Sequence, residues 1–325
     1  MSRTNVPPLN DAEWKRALRG LALCLEPGGA LRRTWPLLGG LSAHMTVLEI
    51  ARPGEADLRA VLRIPSQPLL ARHPGAAGDE FRTVQALFRT GVRVPEPLLL
   101  DESRTLLPVP YLVLDYVEGK PDCDPPDRHA YERQRAEQLA RIHTVDTSEP
   151  ELATLRRRGH AFASGLRDRT VDPTSRLDES RIIETLQPFW AAKSRNIPVL
   201  LHGDLWPGNL LWTDGTVAAV LDWEDASLGE PLADLAICRL DSLLIFGRQA
   251  METFTDRYLS LSQVNTEQLP YWDLCAALRA APSIGDWAAA FPLFDRPDIT
   301  EERLRAALEE FTEAALGRID PRTAG

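Results

Sequence analysis

The sequence lacks the cysteine spacing of a metal centre or a disulfide framework. Its four cysteines (Cys24, Cys123, Cys238 and Cys275) are scattered, with no CxxC pair among them, so neither a zinc site nor a disulfide-rich secreted domain is indicated. No run approaches the roughly 18 uncharged apolar residues of a membrane span, and the N-terminus has no apolar leader. These absences predict a globular cytoplasmic protein that does not bind membranes.

Lysine is also scarce, with three Lys against 34 Arg. The net charge of −10 is unevenly distributed: residues 1–117 carry 14 basic and 12 acidic side chains, whereas residues 118–325 carry 23 basic and 35 acidic ones. Nucleic acids are bound by basic surfaces, so the acidic second part argues against a nucleic-acid partner. An acidic surface is compatible with a cationic small substrate, although it often serves only solubility.

The hydrophobic patterning divides the chain into two parts of different class. From Ala30 to Val117 it predicts an antiparallel sheet carrying one helix over 78–90, with turns at Gly39–Gly40 and Pro53–Gly54. After Gly119 the apolar spacing becomes mainly helical. The sequence therefore predicts an α+β protein with two lobes: a small β-rich lobe at 1–117 and a larger helical lobe at 118–325.

The stretch LHGDLWPGNLLWTDGTVAAVLD, 201–222, brackets ionisable residues with strand-forming sequence. A hairpin between the strands VLLH and VAAVLD would bring Asp204, Asn209 and Asp222 to one edge, with Asp214 in the turn. The side-chain oxygens of Asn209 and Asp222 are the hard ligands that Mg²⁺ prefers when phosphates and water complete its shell. Asp204 would then accept a proton from a substrate hydroxyl, while His202 more often organises such a loop than acts as a base.

The first part carries candidates for holding a nucleotide. The segment Gly39 to His44 is rich in small residues, so its backbone could approach phosphate oxygens, with Gly40 and the Ser42 hydroxyl as contacts. Arg63, near the end of a strand, could hold the α and β phosphates, and Glu80 at the start of a helix could pair with it. Alone, a glycine turn, an edge arginine and a first-turn glutamate are each common structural features.

Together these segments carry a family resemblance. HGDLWPGNLL followed by VLDWEDASLGEPLADLA resembles the Brenner-type motif of the aminoglycoside phosphotransferase and choline kinase superfamily, which has a protein-kinase-like fold. The resemblance extends, in order, through GGLSAHMTVLEI, VLRIP, DEF, VPEPLLL, LVLDYVEG and LARIHTVD. It implies transfer of the γ-phosphoryl group of ATP or GTP to a hydroxyl of a small molecule, with Mg²⁺ as cofactor. An aminoglycoside or another amino-bearing metabolite is among the acceptors that it implies.

The resemblance also implies roles for single residues. Asp204 matches the catalytic aspartate, Asn209 and Asp222 match the metal ligands, and Asp234 matches a buried aspartate that supports the catalytic loop. Asp115 to Val117 resembles the hinge whose backbone meets the adenine ring. Arg63 stands where many relatives have Lys, and its planar fork binds phosphates differently from an ammonium group.

Acceptor recognition is implied for carboxylates after the DW segment and on C-terminal helices: Glu224, Asp225, Asp241, Asp273 and Asp286. Asp286 neighbours Trp287, a combination that suits an amine. Two alternatives stay open. One is a degenerate nucleotide-binding scaffold. The other is a protein kinase, against which the eleven residues between Asp222 and Asp234 argue because they are too few for an activation loop.

Overall fold

The computed structural model describes residues 9–37, 43–155, 157–158, 166, 171 and 176–319. These residues form two compact units. The first comprises the described residues up to Glu118 together with Ser148–Thr154, and the second comprises Gly119–Thr147 and the described residues from Leu155 onward. The predicted domains, 1–117 and 118–325, stay a prediction. The compact units divide after Glu118, and the return of Ser148–Thr154 to the first unit was not anticipated.

The first unit is built on one antiparallel sheet in the order β1-β2-β3-β5-β4. Its strands are β1 (Ala30–Pro36), β2 (Ala43–Ala51), β3 (Leu58–Pro65), β4 (Pro97–Asp101) and β5 (Tyr111–Asp115). Apolar residues of the central strands, among them Leu48, Ile50 and Leu62, are fully buried. The predicted antiparallel sheet is confirmed, and Gly54, at a φ of +81°, lies in the predicted turn between β2 and β3.

The described part of the first unit has three α-helices: α1 (Asp11–Leu25), α2 (Gln67–Arg72) and α3 (Ala76–Arg89). The prediction had only the last of these. Helix α1 begins with a capping box, in which Asn10 and Glu13 satisfy each other's backbone N–H groups. Its apolar residues, such as Leu18 and Leu21, pack into the core formed by the sheet. The capping box and this spacing are signals from which α1 could have been predicted.

The second unit is mainly helical, as predicted, and an α+β fold results. Its helices are α4 (Arg128–Ile142), α5 (Glu179–Ala191), α6 (Pro231–Phe246), α7 (Arg248–Leu261), α8 (Leu269–Ala280), α9 (Ile284–Ala290) and α10 (Glu301–Leu316). Every residue of α6 is buried, which marks it as the central helix of this unit. Among the described residues, no helix has both the length and the apolar character required to cross a membrane.

The strands of the second unit correct the predicted pairing. β7 (Val199–Leu201) pairs with β10 (Ser227–Gly229), which also pairs with β6 (Arg157–Arg158). The hairpin is made instead by β8 (Leu210–Thr213) and β9 (Thr216–Val220). The prediction was wrong on this point because it treated β8 as part of a loop, whereas a two-residue turn pairs the strands that directly flank it.

Candidate active site

The β8–β9 hairpin brings Asn209 and Asp222 to the same end. Asp214 and Gly215 have φ values of +50° and +71°, the positive values that a tight two-residue hairpin turn requires. The register pairs Leu210 with Val220, and the Leu221 N–H donates to the Asn209 carbonyl at 2.8 Å. Asn209 and Asp222 therefore leave the hairpin from neighbouring positions, although the strand that forms it with β9 is not the one predicted.

His202 organises the loop that runs from β7 to the hairpin. Its Nδ1 accepts the Asp204 backbone N–H at 3.2 Å, and its Nε2–H donates to the Leu221 carbonyl at 2.9 Å. One ring nitrogen must be an unprotonated acceptor and the other a donor, so the ring is neutral with its proton on Nε2. Because the imidazole is fully buried, its geometry supports the organising role and not that of a base.

The Asp234 side chain holds the same loop by binding the main chain of the loop. Its two carboxylate oxygens accept the backbone N–H groups of His202 at 2.7 Å and Gly203 at 2.9 Å. His143 Nε2 lies 3.3 Å from the same carboxylate. Burial disfavours the charged form, but the hydrogen bonds from the His143 side chain and the His202 backbone outweigh burial and lower the pKa of Asp234. Asp234 thus supports the loop as the resemblance implied.

Gly203 is required by the shape of this loop. Its φ is +85°, in the left-handed region that side chains disfavour. A Cβ at this position would lie 2.9 Å from the Asp225 carbonyl oxygen. The absence of a side chain therefore allows the segment before Asp204 to approach the segment that follows Asp222.

Asp204 lies between two donors. Arg279 Nη2 is 3.4 Å from its Oδ1, and the Asn209 amide nitrogen is 3.3 Å from its Oδ2. Burial raises the pKa of Asp204 to about 6, an effect that the Arg279 guanidinium opposes and the nearby Asp241 reinforces. A carboxyl group with this pKa is largely ionised at neutral pH and can accept a proton.

The donor set at the hairpin end fits a magnesium ion. The Asn209 side-chain nitrogen donates to the Asp204 carbonyl at 2.9 Å, so the amide oxygen is the atom that could bind a metal, and Asp222 could add a carboxylate. Mg²⁺ commonly takes one or two carboxylates and completes its shell with water and substrate phosphates. Within the described residues no cluster of three or more His, Cys, Asp or Glu side chains could hold a metal.

In the first unit, the predicted partners Arg63 and Glu80 form a buried ion pair. Arg63 Nε lies 2.9 Å from the Glu80 carboxylate, and both side chains are at most 6% exposed. Arg63 Nη1 also lies 3.8 Å from the Met45 sulfur. The ion pair orients the guanidinium of Arg63. Arg63 is therefore held by a carboxylate even though many relatives have a lysine at this position. Gly40 and Ser42 lie outside the described residues.

The predicted hinge follows strand β5. The backbone N–H groups of Asp115 and Tyr116 donate to the carbonyls of Glu96 at 2.8 Å and Arg59 at 3.1 Å. These two amides are therefore used within the first unit. Val117 directly follows these two residues, and its role in a hinge stays a prediction.

The predicted acceptor carboxylates fall into different environments. Asp241, on α6, is buried, its Oδ2 has no hydrogen-bond partner, and burial raises its pKa to about 6. Asp225 lies 3.9 Å from Arg279, and Glu224 is its chain neighbour. Asp273 is 1% exposed and pairs with Arg239 and Arg318, which favours a structural role. Asp286 is exposed on α9.

Arg279 is the site residue that the sequence reasoning missed. It lies in the last turn of α8, 75 residues from Asp204. A basic residue in the last turn of a helix is ordinarily explained by the helix dipole. No local signal distinguishes it from the other 33 arginines, and its role emerges only from the packing of α8 against the loop.

Curated relatives and solved structures are similar to this chain at low identity. Acyl-CoA dehydrogenase family member 10 of Mus musculus is 28% identical over 246 residues, which cover 71% of this chain and 23% of that protein. The chain thus spans about a quarter of the length of that relative.

Among solved structures, the macrolide 2'-phosphotransferase MphH of Brachybacterium faecium has a TM-score of 0.60 at 20% identity, covering 94% of this chain and 98% of that one. The GDP and kanamycin complex of APH(2")-IIIa has a TM-score of 0.59 at 18% identity, covering 91% and 98%. These likenesses show a protein-kinase-like fold.

A family model gives the more specific assignment. The model described as the phosphotransferase enzyme family matches residues 36–278, which include β2 to β5, the loop with Asp204 and the whole of α6. The matched segment covers most of the chain and contains Asp204, Asn209, Asp222 and Asp234, whereas Arg279 directly follows it. The chain therefore belongs to the phosphotransferase enzyme family.

Proposed function

We propose that the chain transfers the γ-phosphoryl group of ATP or GTP to a hydroxyl group of a small molecule. The observation that carries the proposal is the arrangement at the β8–β9 hairpin: Asp204 is set on a loop held by Asp234, beside Asn209 and Asp222. This arrangement provides one proton acceptor and two oxygen ligands within a single short segment of the second unit.

The reaction places a separate demand on each residue. As the acceptor oxygen forms its bond to the γ-phosphorus, the bond from that phosphorus to the bridging oxygen breaks, and the nucleoside diphosphate leaves. Asp204 orients the acceptor hydroxyl and takes its proton. Its position between Arg279 and Asn209 keeps a carboxylate oxygen directed toward the acceptor.

Mg²⁺, held by Asn209 and Asp222, would neutralise charge on the β and γ phosphates. Arg63, oriented by Glu80, would contact the α and β phosphates, and we propose the same for the segment that contains Gly40 and Ser42. The Val117 backbone would meet the base. These roles follow the family pattern residue by residue.

The proposed acceptor is a small hydroxylated molecule that carries an amine. Asp241 supports this class because it is a buried carboxylate with an unpartnered oxygen, and the charges of Asp241 and Asp225 both raise the pKa of Asp204. A buried carboxylate of this kind is stabilised by a charged or hydrogen-bonding partner. Aminoglycosides, macrolides and amino alcohols form the panel on which to test it.

Release of nucleoside diphosphate, measured for each acceptor with ATP and with GTP, tests the proposal. We expect Mg²⁺-dependent turnover that EDTA abolishes. Asp204→Asn should lose about 10²–10⁴-fold in kcat while binding nucleotide with unchanged affinity in calorimetry. The control is Asp214→Asn, in the turn of the same hairpin, which should keep full turnover because Asn tolerates a positive φ.

Three outcomes would contradict the proposal. Full turnover in Asp204→Asn would show that Asp204 does not accept the proton. Nucleotide binding without turnover on any acceptor would favour the scaffold alternative, and labelled phosphate found on protein instead of on small molecules would favour a protein kinase.

A further inference from the structure

Arg279 makes a two-pronged contact with the loop that carries Asp204. Its Nη1 donates to the Gly203 carbonyl at 2.8 Å, and its Nη2 lies 3.4 Å from Asp204 Oδ1. The same nitrogen is 3.9 Å from Asp225 Oδ2. One guanidinium therefore contacts the main chain before the aspartate, the aspartate itself and the segment beyond Asp222.

The helix that carries Arg279 is firmly anchored. On α8, Trp272, Leu274 and Leu278 are buried, and Asp273 forms a bidentate ion pair with Arg239 of α6 at 3.1 and 3.2 Å. Helix α6 is also the element whose Asp234 binds the loop. The main-chain N–H and C=O of Gly203 are thus held by two elements that are fixed to each other.

The contacts of Arg279 define the orientation of the Asp204 carboxylate. Oδ1 faces the guanidinium, and Oδ2 faces the Asn209 amide at 3.3 Å. A carboxylate held at both oxygens loses the freedom to rotate, which is the form of positioning that accelerates a proton transfer. Lysine has the charge of arginine but not its planar fork of donors.

The other charged groups that face Asp204 make the guanidinium more important. Asp241 from α6 and Asp225 from the following loop both have like charge, and the His202 ring nitrogens are engaged by the Asp204 backbone N–H and the Leu221 carbonyl. Without Arg279, the carboxylates of Asp241 and Asp225 would repel that of Asp204, and among the described residues the Asn209 amide would be the remaining side-chain donor to it. The carboxylate would then turn away from the direction that these contacts set.

We propose that Arg279 is a positioning residue for phosphoryl transfer, which holds the Asp204 carboxylate and the Gly203 carbonyl in one fixed relation. The inference rests on the proposed function. It adds a residue outside the motif segments, contributed by helix α8.

Steady-state kinetics of Arg279→Gln and Arg279→Lys test the proposal, with Arg257→Gln as the matched control. Arg257 forms an ion pair with Glu137 and is 28% exposed, against 31% for Arg279. We expect Arg279→Gln to lose about 10²-fold in kcat, the effect of a misplaced reacting group, with the nucleotide KM unchanged. The kcat of Arg279→Lys should lie between those of the wild type and Arg279→Gln, and the kcat of Arg257→Gln should match that of the wild type.

A second measurement separates positioning from folding. Methylguanidinium added to Arg279→Ala should restore part of the lost kcat without changing the midpoint of thermal unfolding, because the added cation replaces the missing side chain. Wild-type kcat in Arg279→Gln, or a loss that methylguanidinium does not restore in a folded Arg279→Ala variant, would overturn the proposal. If Arg279→Gln fails to fold, wild-type kcat in Arg279→Lys overturns it. Failure of the proposed function is distinguishable from failure of the positioning role, because the wild type itself would then show no turnover.

Discussion

The two units fix their candidate functional groups by different means. In the first unit, Arg63 is oriented by one buried side chain, that of Glu80. In the second, the loop around Asp204 is oriented through its main chain, by Asp234 from one helix and Arg279 from another. A pair of side chains depends on both partners and can be replaced as a pair. A main chain held at its N–H groups by a buried carboxylate and at a carbonyl by a guanidinium cannot be rescued by changing a single partner.

The largest expected effect is in the second unit. Asp234→Ala leaves two buried N–H groups without acceptors, at about 1–3 kcal/mol each, and removes the carboxylate that faces His143. We expect the free energy of unfolding in urea to fall by about 5 kcal/mol. Phosphoryl transfer should be lost with it. A fall below about 1 kcal/mol would show that the loop does not depend on Asp234.

The ion pair of the first unit should give a somewhat smaller effect. Glu80→Ala leaves the Arg63 guanidinium buried without its partner, which should lower the free energy of unfolding by about 3 kcal/mol. The double variant Arg63→Met with Glu80→Leu should recover most of this loss, because well-packed apolar residues can replace a buried ion pair. No recovery of the free energy of unfolding in the double variant would contradict the view that the side-chain pair of the first unit can be replaced as a pair.

A matched pair of glycines tests the close approach at the loop. Gly203→Ala introduces a Cβ 2.9 Å from the Asp225 carbonyl oxygen at a φ of +85°, whereas Gly215→Ala has a φ of +71° and no atom within 4 Å. In both variants the positive φ should lower the free energy of unfolding by about 1 kcal/mol. We expect Gly203→Ala to cost about 1–2 kcal/mol more. Equal costs in thermal unfolding would mean that the loop can move away from Asp225.

The smallest expected effect is a dependence on pH. The pKa of Asp234 is lower in the folded chain than its usual value near 3.9, so its contribution to stability is fully present above that value. The contribution is lost as the pH falls through the lower, folded pKa. The stability difference between the wild type and Asp234→Asn should therefore shrink below about pH 4 in urea titrations. A difference that grows on acidification would contradict the assigned direction.

Much of the fold could be predicted from local pattern. The antiparallel sheet and the helical second unit follow from periodicity, and the Asp214–Gly215 turn follows from the preference of these residues for positive φ. The pairing of β7 with β10 could not be predicted in this way, because strand partners depend on contacts between residues that are distant in sequence. The missed helix α1 had its signals in the sequence, in Asn10 and Glu13.

From the sequence alone, Asn209 and Asp222 could be expected at one end of a hairpin, because the two-residue Asp214–Gly215 turn pairs the strands that flank it. Their grouping with Asp204 as one site stays a prediction. The sequence also predicted that Glu80 could pair with Arg63, and the structure contains this ion pair. Only the tertiary structure decided that His202 is a neutral organiser, that Asp273 is engaged by two arginines, and that Arg279 reaches Asp204. Such contacts join residues separated by many tens of positions, and only helix packing brings those residues together.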